Sequence, residues 1–162
     1  MPADRALDAL DAALLADLST EPRASVLELA RRHGVARGTV QARMDRWQRD
    51  GVVRGYGPQV DPAAIGHPVT AFLTLELRQE RGRAEVERHL GAIAEVLEAH
   101  TITGSGDLLV RVVARSNTDL QRVIDTVVSD PAVSRTSTVI ALHDVIPFRT
   151  SPLVASLVRD VG

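Results

Sequence analysis

The sequence predicts an α+β chain of two units, three short helices followed by a β-α-β-β-α-β succession. Three observations carry that expectation. Apolar residues recur at helical spacing three times before residue 50, glycine and proline crowd residues 51–68, and beyond them strand-like alternation takes turns with helical spacing. Leu7, Leu10, Leu14, Leu15 and Leu18 form the stripe of an amphipathic helix over roughly 4–18, closed before Pro22. Ser25 stands three residues ahead of Glu28, the spacing of a capping box, and opens a short helix with Val26, Leu29 and Ala30 inward. After the turn His33-Gly34-Val35, a third helix runs from Arg37 to Arg49 with Val40, Met44 and Trp47 as its buried stripe. Two helices joined by a tight glycine turn make a helix-turn-helix unit. An extended Val52–Tyr56 after Gly51 would complete a winged helix-turn-helix.

In the second unit Val69, Ala71, Leu73, Leu75 and Leu77 alternate with Thr70, Phe72, Thr74 and Glu76, the period of a strand. Val86, Leu90, Ile93 and Leu97 place a helix over about 82–98. A short strand at His100–Thr103, the turn Gly104-Ser105-Gly106 and a second strand at Leu108–Ala114 follow. Ser116 or Asn117 then caps a helix carrying Leu120, Val123, Ile124, Val127 and Val128 on one side, and Val133–Val145 reads as a long last strand. That order yields a ferredoxin-like, four-stranded antiparallel sheet with both helices on one face. Ser151-Pro152 suits the start of a short C-terminal helix. The expected divisions are 1–56 for the helix-turn-helix, 57–67 for a linker, 68–150 for the sheet domain and 151–162 for a tail or short helix.

With 162 residues, 44% of them hydrophobic, and a mean hydropathy near zero, the composition is that of a globular protein. Cysteine is absent, which removes disulfides, thiolate zinc sites and thiol nucleophiles. His33, His67, His89, His100 and His143 lack metal-ligand spacing, and no Walker sequence, dinucleotide fingerprint or Ser-His-Asp order appears, so neither metal, cofactor nor enzyme chemistry is expected. No apolar run approaches the roughly 20 residues of a membrane span. The acidic start, with Asp4, Asp8 and Asp11, does not read as a signal peptide, which points to the cytoplasm. All basic residues are arginine, and abundant alanine beside them suggests a GC-rich bacterial genome.

The net charge of −2 is unevenly spread. Arg5 faces Asp4, Asp8, Asp11, Asp17 and Glu21 in residues 1–22, a net of −4. Residues 23–54 hold Arg23, Arg31, Arg32, Arg37, Arg43, Arg46, Arg49 and Arg54 against Glu28, Asp45 and Asp50, a net of +5. On charge alone, a solvated helix face and a nucleic-acid surface explain that block equally well. Taken as DNA-binding, the third helix would read bases with Arg37, Thr39 and Gln41, while Arg31, Arg32 and Arg54 suit phosphates. Arg43 and Arg46 are open between DNA and bracing Asp45, Asp50 or an N-terminal acid. A second candidate is the turn Gly104-Ser105-Gly106-Asp107, whose glycines admit a ligand carboxylate to backbone N–H groups and whose aspartate suits an α-ammonium. By itself such a turn is more readily an ordinary tight hairpin.

The residues Leu7-Asp8-Ala9-Leu10-Asp11, Arg23-Ala24-Ser25 before Glu28-Leu29-Ala30, Arg43 with Arg46, Gly51–Tyr56, Asp61-Pro62 with Ile65-Gly66, Thr103–Leu109 and Thr136-Ser137-Thr138 stand in an order that resembles the Lrp/AsnC family of transcriptional regulators. The resemblance implies a third helix bound to double-stranded DNA and an ACT-like (RAM) domain that senses ligand and assembles homodimers, usually into octamers or similar rings. It implies an amino-acid effector near Gly104, Ser105, Gly106 and Asp107 at a subunit interface, with Thr136 and Thr138 close by, in a cytoplasmic, nucleoid-associated protein. Ala36, Gly38 and Thr39 depart from the family's serine cap and Ser-Pro, which bears on the DNA site preferred, and Leu108 stands where an aromatic is common. Two alternatives share the fold: an enzyme similar to sirohaem decarboxylases, with His100, Arg111 and His143 conscripted, and a nucleoid-associated architectural protein of low specificity.

Overall fold

The computed structural model describes residues 7–78 and 83–160. Positions 4–6 of the first expected helix, position 82 and the last two residues of the expected tail lie outside the described residues. The elements are α1 (Ala9–Thr20), α2 (Val26–Arg32), α3 (Arg37–Arg49), β1 (Val69–Leu77), α4 (Arg83–Gly91), β2 (Val96–Thr101), β3 (Leu108–Ala114), α5 (Asn117–Val128), β4 (Val133–Ala141) and α6 (Ser151–Asp160). Two compact units result, one from the described residues up to Pro58 together with those from Ile146 onward, the other from Gln59–Val145.

In the first unit, caps set the helix starts. Asp8 accepts from the Asp11 N–H at 2.8 Å and the Asp11 carboxylate from the Asp8 N–H at 3.2 Å. Ser25 and Glu28 repeat the reciprocal pattern at 3.2 and 2.7 Å. Gly34, at φ +63, lets the chain reverse between α2 and α3 while the Val35 N–H returns to the Ala30 carbonyl at 3.0 Å. Leu14, Leu15, Leu29, Ala30, Val40 and Trp47 form the core, with Leu7, Leu10, Leu18 and Met44 at its edge. The region expected as a tail or short helix forms the helix α6, a fourth helix of this unit: it lies against α1, and Val154 joins the edge of this core. Residues 52–56 make no strand; the Val53 N–H instead bonds the Trp47 carbonyl at 3.2 Å.

The second unit is one antiparallel sheet in the order β2-β3-β1-β4. Leu73 lies opposite Val110 and Thr138, and Leu75 opposite Leu108 and Thr136. Buried Ala71, Leu73, Leu75, Val110 and Val112 meet Val86 and Leu90 of α4 and Leu120, Val123 and Val127 of α5. Both helices therefore sit on one face. The alternate residues Phe72, Thr74, Leu109, Arg111 and Val139 form a second face that, among the described residues of this unit, no helix covers; Val139 is 65% exposed.

The first helix, expected over roughly 4–18, starts at Ala9 behind the Asp8 cap and runs to Thr20, and two boundaries of the sheet unit also differ from expectation. The helix over 82–98 ends at Gly91, and residues from Val96 form the edge strand β2, in place of the expected strand at His100–Thr103. Pairing with β3 overrides the helical spacing of Leu97, which sits at a register shift and is 45% exposed. The last strand stops at Ala141 rather than Val145, because its partner β1 runs out: Ala141 pairs Thr70, and the chain ahead of Val69 is Pro68, which has no N–H to give.

Gly106 is held by space rather than by backbone dihedrals. A Cβ there would run into Thr74 Cγ2 and lie 3.3 Å from the Leu75 carbonyl oxygen. Gly106→Ala is expected to lower stability to denaturant by about 1–3 kcal/mol, and adding Thr74→Ser, which removes that methyl, to recover most of the loss. Equal stability of Gly106→Ala and the parent would show that no such close approach exists.

Candidate functional site

Because Val40 and Trp47 face the core, α3 turns Arg37, Gly38, Thr39, Gln41, Asp45 and Gln48 to solvent. Arg37, Gln41 and Asp45 follow at four-residue steps and so form one outward stripe. The Gln41 Nε2 donates to Asp45 Oδ1 at 2.8 Å. Ala36 offers no side-chain cap, which leaves first-turn N–H groups of α3 open at the end where Arg37 and Thr39 sit. Arg31 at the end of α2 and Arg54 beyond α3 are exposed; among the described residues neither they nor Arg37 take part in an ion pair. Burial first, and the Asp45 charge second, raise the Tyr56 hydroxyl above its usual pKa.

The other nominated arginines are engaged. Asp11 is 1% exposed; its Oδ1 forms an ion pair with Arg43 Nη1 at 2.7 Å and accepts from the Trp47 indole N–H at 3.2 Å, while its Oδ2 accepts from Arg46 Nη2 at 2.6 Å. Arg43 also reaches Asp8 at 2.8 Å. The Asp11 N–H, with Arg43 adding to it against the opposing effect of burial, holds the Asp8 carboxyl below its usual pKa. Arg32 pairs with Glu21 at 2.8 Å and Asp17 at 3.2 Å, and His33 Nε2 lies 2.8 Å from Asp17. Of the bracing partners the sequence leaves open for Arg43 and Arg46, the structure has the N-terminal acid, Asp11, and an acid inside a leucine stripe is the signal that marks it.

The second candidate lies at one end of the sheet. The Asp107 N–H donates to the Leu75 carbonyl at 2.8 Å, its carbonyl accepts from the Ile102 N–H at 3.1 Å, and its Oδ2 accepts from the Leu77 N–H at 2.6 Å. Gly104 adopts φ +114, which only glycine adopts freely. Thr136 and Thr138 lie at the same end on β4, with β1 between them and the turn. Two strand spacings are about 10 Å, so one chain does not bring the two groups into contact. Thr136 Oγ1 is buried and has no hydrogen-bond partner among the described residues. His100 and Arg111 both meet Glu98, at 3.3 and 3.5 Å, whereas His143 is exposed beyond β4. Among the described residues there is no group of three potential metal ligands and no helix long and apolar enough to cross a membrane.

A helix-turn-helix with an outward polar stripe is the build of a DNA-binding protein, here carried in one chain with a ferredoxin-like sheet unit. Residues 7–48 match the AsnC-type helix-turn-helix domain and residues 70–150 the Lrp/AsnC ligand binding domain. The chain belongs to the Lrp/AsnC family. It is 35% identical to the transcriptional regulator LrpA of Mycobacterium tuberculosis over 126 residues, 76% of this chain and 84% of the relative. The structure of Escherichia coli AsnC superposes with a TM-score of 0.82 at 28% identity, covering 91% of this chain and 100% of that one. A feast or famine regulatory protein from M. tuberculosis, complexed with L-methionine, gives 0.80 at 29% identity, covering 89% and 97%. These relatives are regulators, and this chain is a regulator rather than an enzyme, which sets aside the decarboxylase alternative.

Asp11→Asn is expected to lower the stability of the first unit by about 2–4 kcal/mol. Arg43 and Arg46 keep 19% and 29% exposure, so they reach water when unpaired and hold the loss below that of a fully buried pair. Urea unfolding followed by the fluorescence of Trp47, the sole tryptophan, measures this; an unchanged midpoint would remove Asp11 from its bracing role.

Proposed function

We propose that this chain is a homo-oligomeric, sequence-specific regulator that reads the major groove with Arg37, Thr39 and Gln41, rests on phosphates through Arg31 and Arg54, and responds to an amino acid. The observation that carries the DNA reading is the exposed stripe on α3, on the helix that follows the glycine turn. Arginine pairs bidentately with guanine and glutamine with adenine. Arg43 and Arg46 act from behind, fixing α3 to α1 through Asp11. Arg32 reaches a phosphate only by leaving Asp17 and Glu21.

The effector reading rests on the turn at Gly104–Asp107, the hydroxyl of Thr136, which has no partner among the described residues, Thr138 beside it, and the methionine-bound relative. The charged groups of an amino acid are too close together to span the width of β1, so a site using both groups takes the turn from one copy and β4 from another. The helix-free face with Phe72, Leu109 and Val139 supports pairing of sheets into a homodimer, and such dimers into an octamer or similar ring. Such a regulator works on the nucleoid in the cytoplasm.

Binding to cognate and scrambled duplexes across a salt series separates the two kinds of contact. Arg31→Ala is expected to weaken every duplex about equally and to reduce the salt slope by about 1, whereas Arg37→Ala costs the cognate duplex about 1–3 kcal/mol of preference. An unchanged slope for Arg31→Ala would reject its phosphate role. Calorimetry with each of the twenty amino acids is expected to show saturable heat for at least one, abolished by Asp107→Ala; no heat and no thermal shift with any of them would reject the effector reading.

A further inference from the structure

Resting on the DNA reading above, we propose that Asp45 is a specificity-determining residue, which orients the Gln41 amide so that the recognition helix prefers adenine over guanine at the base pair facing Gln41. The two residues stand one helical turn apart on the outward stripe of α3, joined by the 2.8 Å bond from Gln41 Nε2 to Asp45 Oδ1. An ionised carboxylate only accepts hydrogen bonds, so it selects the nitrogen end of the amide and turns the oxygen end away. One of the two amide hydrogens is thereby taken. What remains is the oxygen and one N–H, a donor and an acceptor side by side.

Adenine offers that pattern in reverse in the major groove, an acceptor at N7 and a donor at N6. Guanine offers two acceptors, N7 and O6, and would require both amide hydrogens. Asp45 withholds one of them, and its own charge repels the guanine acceptors. Without Asp45 the glutamine is free to turn, and its amide serves either purine. Arg37, one turn earlier on the stripe than Gln41, has no acid partner among the described residues and keeps its whole guanidinium fork, which suits guanine. The stripe therefore carries a guanine reader and an adenine reader in succession, and the acid distinguishes the second from the first. The position is exposed, so substitution there leaves the core of the unit untouched.

Selection from a randomised duplex library, using the full chain and its Asp45→Asn, Asp45→Ala and Gln41→Ala variants, tests this. The unsubstituted chain is expected to enrich adenine at one position of each half-site, and the Asp45 variants to lose adenine over guanine there by on the order of tenfold. Removing a negative charge from the DNA face is also expected to tighten their binding to a scrambled duplex. A merely helix-stabilising role for Asp45 would weaken all binding and leave the base preference intact. Gln41→Ala is expected to lose the same preference, with no further loss when combined with Asp45→Ala. Retention of the adenine preference in Asp45→Asn and Asp45→Ala would overturn the proposal, as would its retention in Gln41→Ala, while DNA reading by the other residues stood. Failure of the unsubstituted chain to bind any duplex would overturn the DNA reading itself and this proposal with it.

Discussion

One buried carboxylate governs the geometry of the N-terminal unit. Asp11 takes part in capping α1, receives guanidinium groups from two successive turns of α3, and accepts the indole N–H of Trp47. A charge withdrawn from water needs such a full set of partners. Once they are supplied, the crossing of α1 and α3 has little freedom left. The inward position of Trp47 and Val40 then decides which residues of α3 point outward, so the polar stripe is a consequence of how this acid is satisfied.

That network also explains the uneven charge of the chain. The acidic first segment and the basic second one are partners: Asp8, Asp11, Asp17 and Glu21 neutralise Arg32, Arg43 and Arg46. Of the arginines left over in this segment, Arg31 lies in the last turn of α2, Arg37 starts α3 and Arg54 lies just beyond it, while Arg23 precedes α2 and Arg49 ends α3. The surplus available to a partner is thus smaller than a residue count suggests.

Much of this architecture is legible in the amino-acid order itself. Helical stripes, the Ser25–Glu28 box and the glycine turn depend on neighbours within one or two turns, which the sequence displays directly. The Gln41–Asp45 pair is equally local, since i,i+4 spacing alone puts the two side chains together. The place of Asp11 in the leucine stripe marks a buried acid but not what braces it, because its partners lie far along the chain, Arg46 and Trp47 at 35 and 36 residues. The same holds for β2: Leu97 falls on a helical period, and only pairing with β3 makes the segment a strand. The tight seat of Gly106 against Thr74 is also invisible at that level, because a glycine needed for room reads like one needed for a turn.

The fourth helix of the first unit has a bearing on synthesis. Because α6 follows the whole sheet unit in the chain yet lies on α1, the DNA-binding unit is interrupted by the sheet unit rather than placed ahead of it. Domains ordinarily complete themselves in the order they are made. Here the apolar flank of α1 waits for its cover until the sheet unit has been translated. The chain therefore acquires a finished reading head only after its ligand-binding domain has already been made.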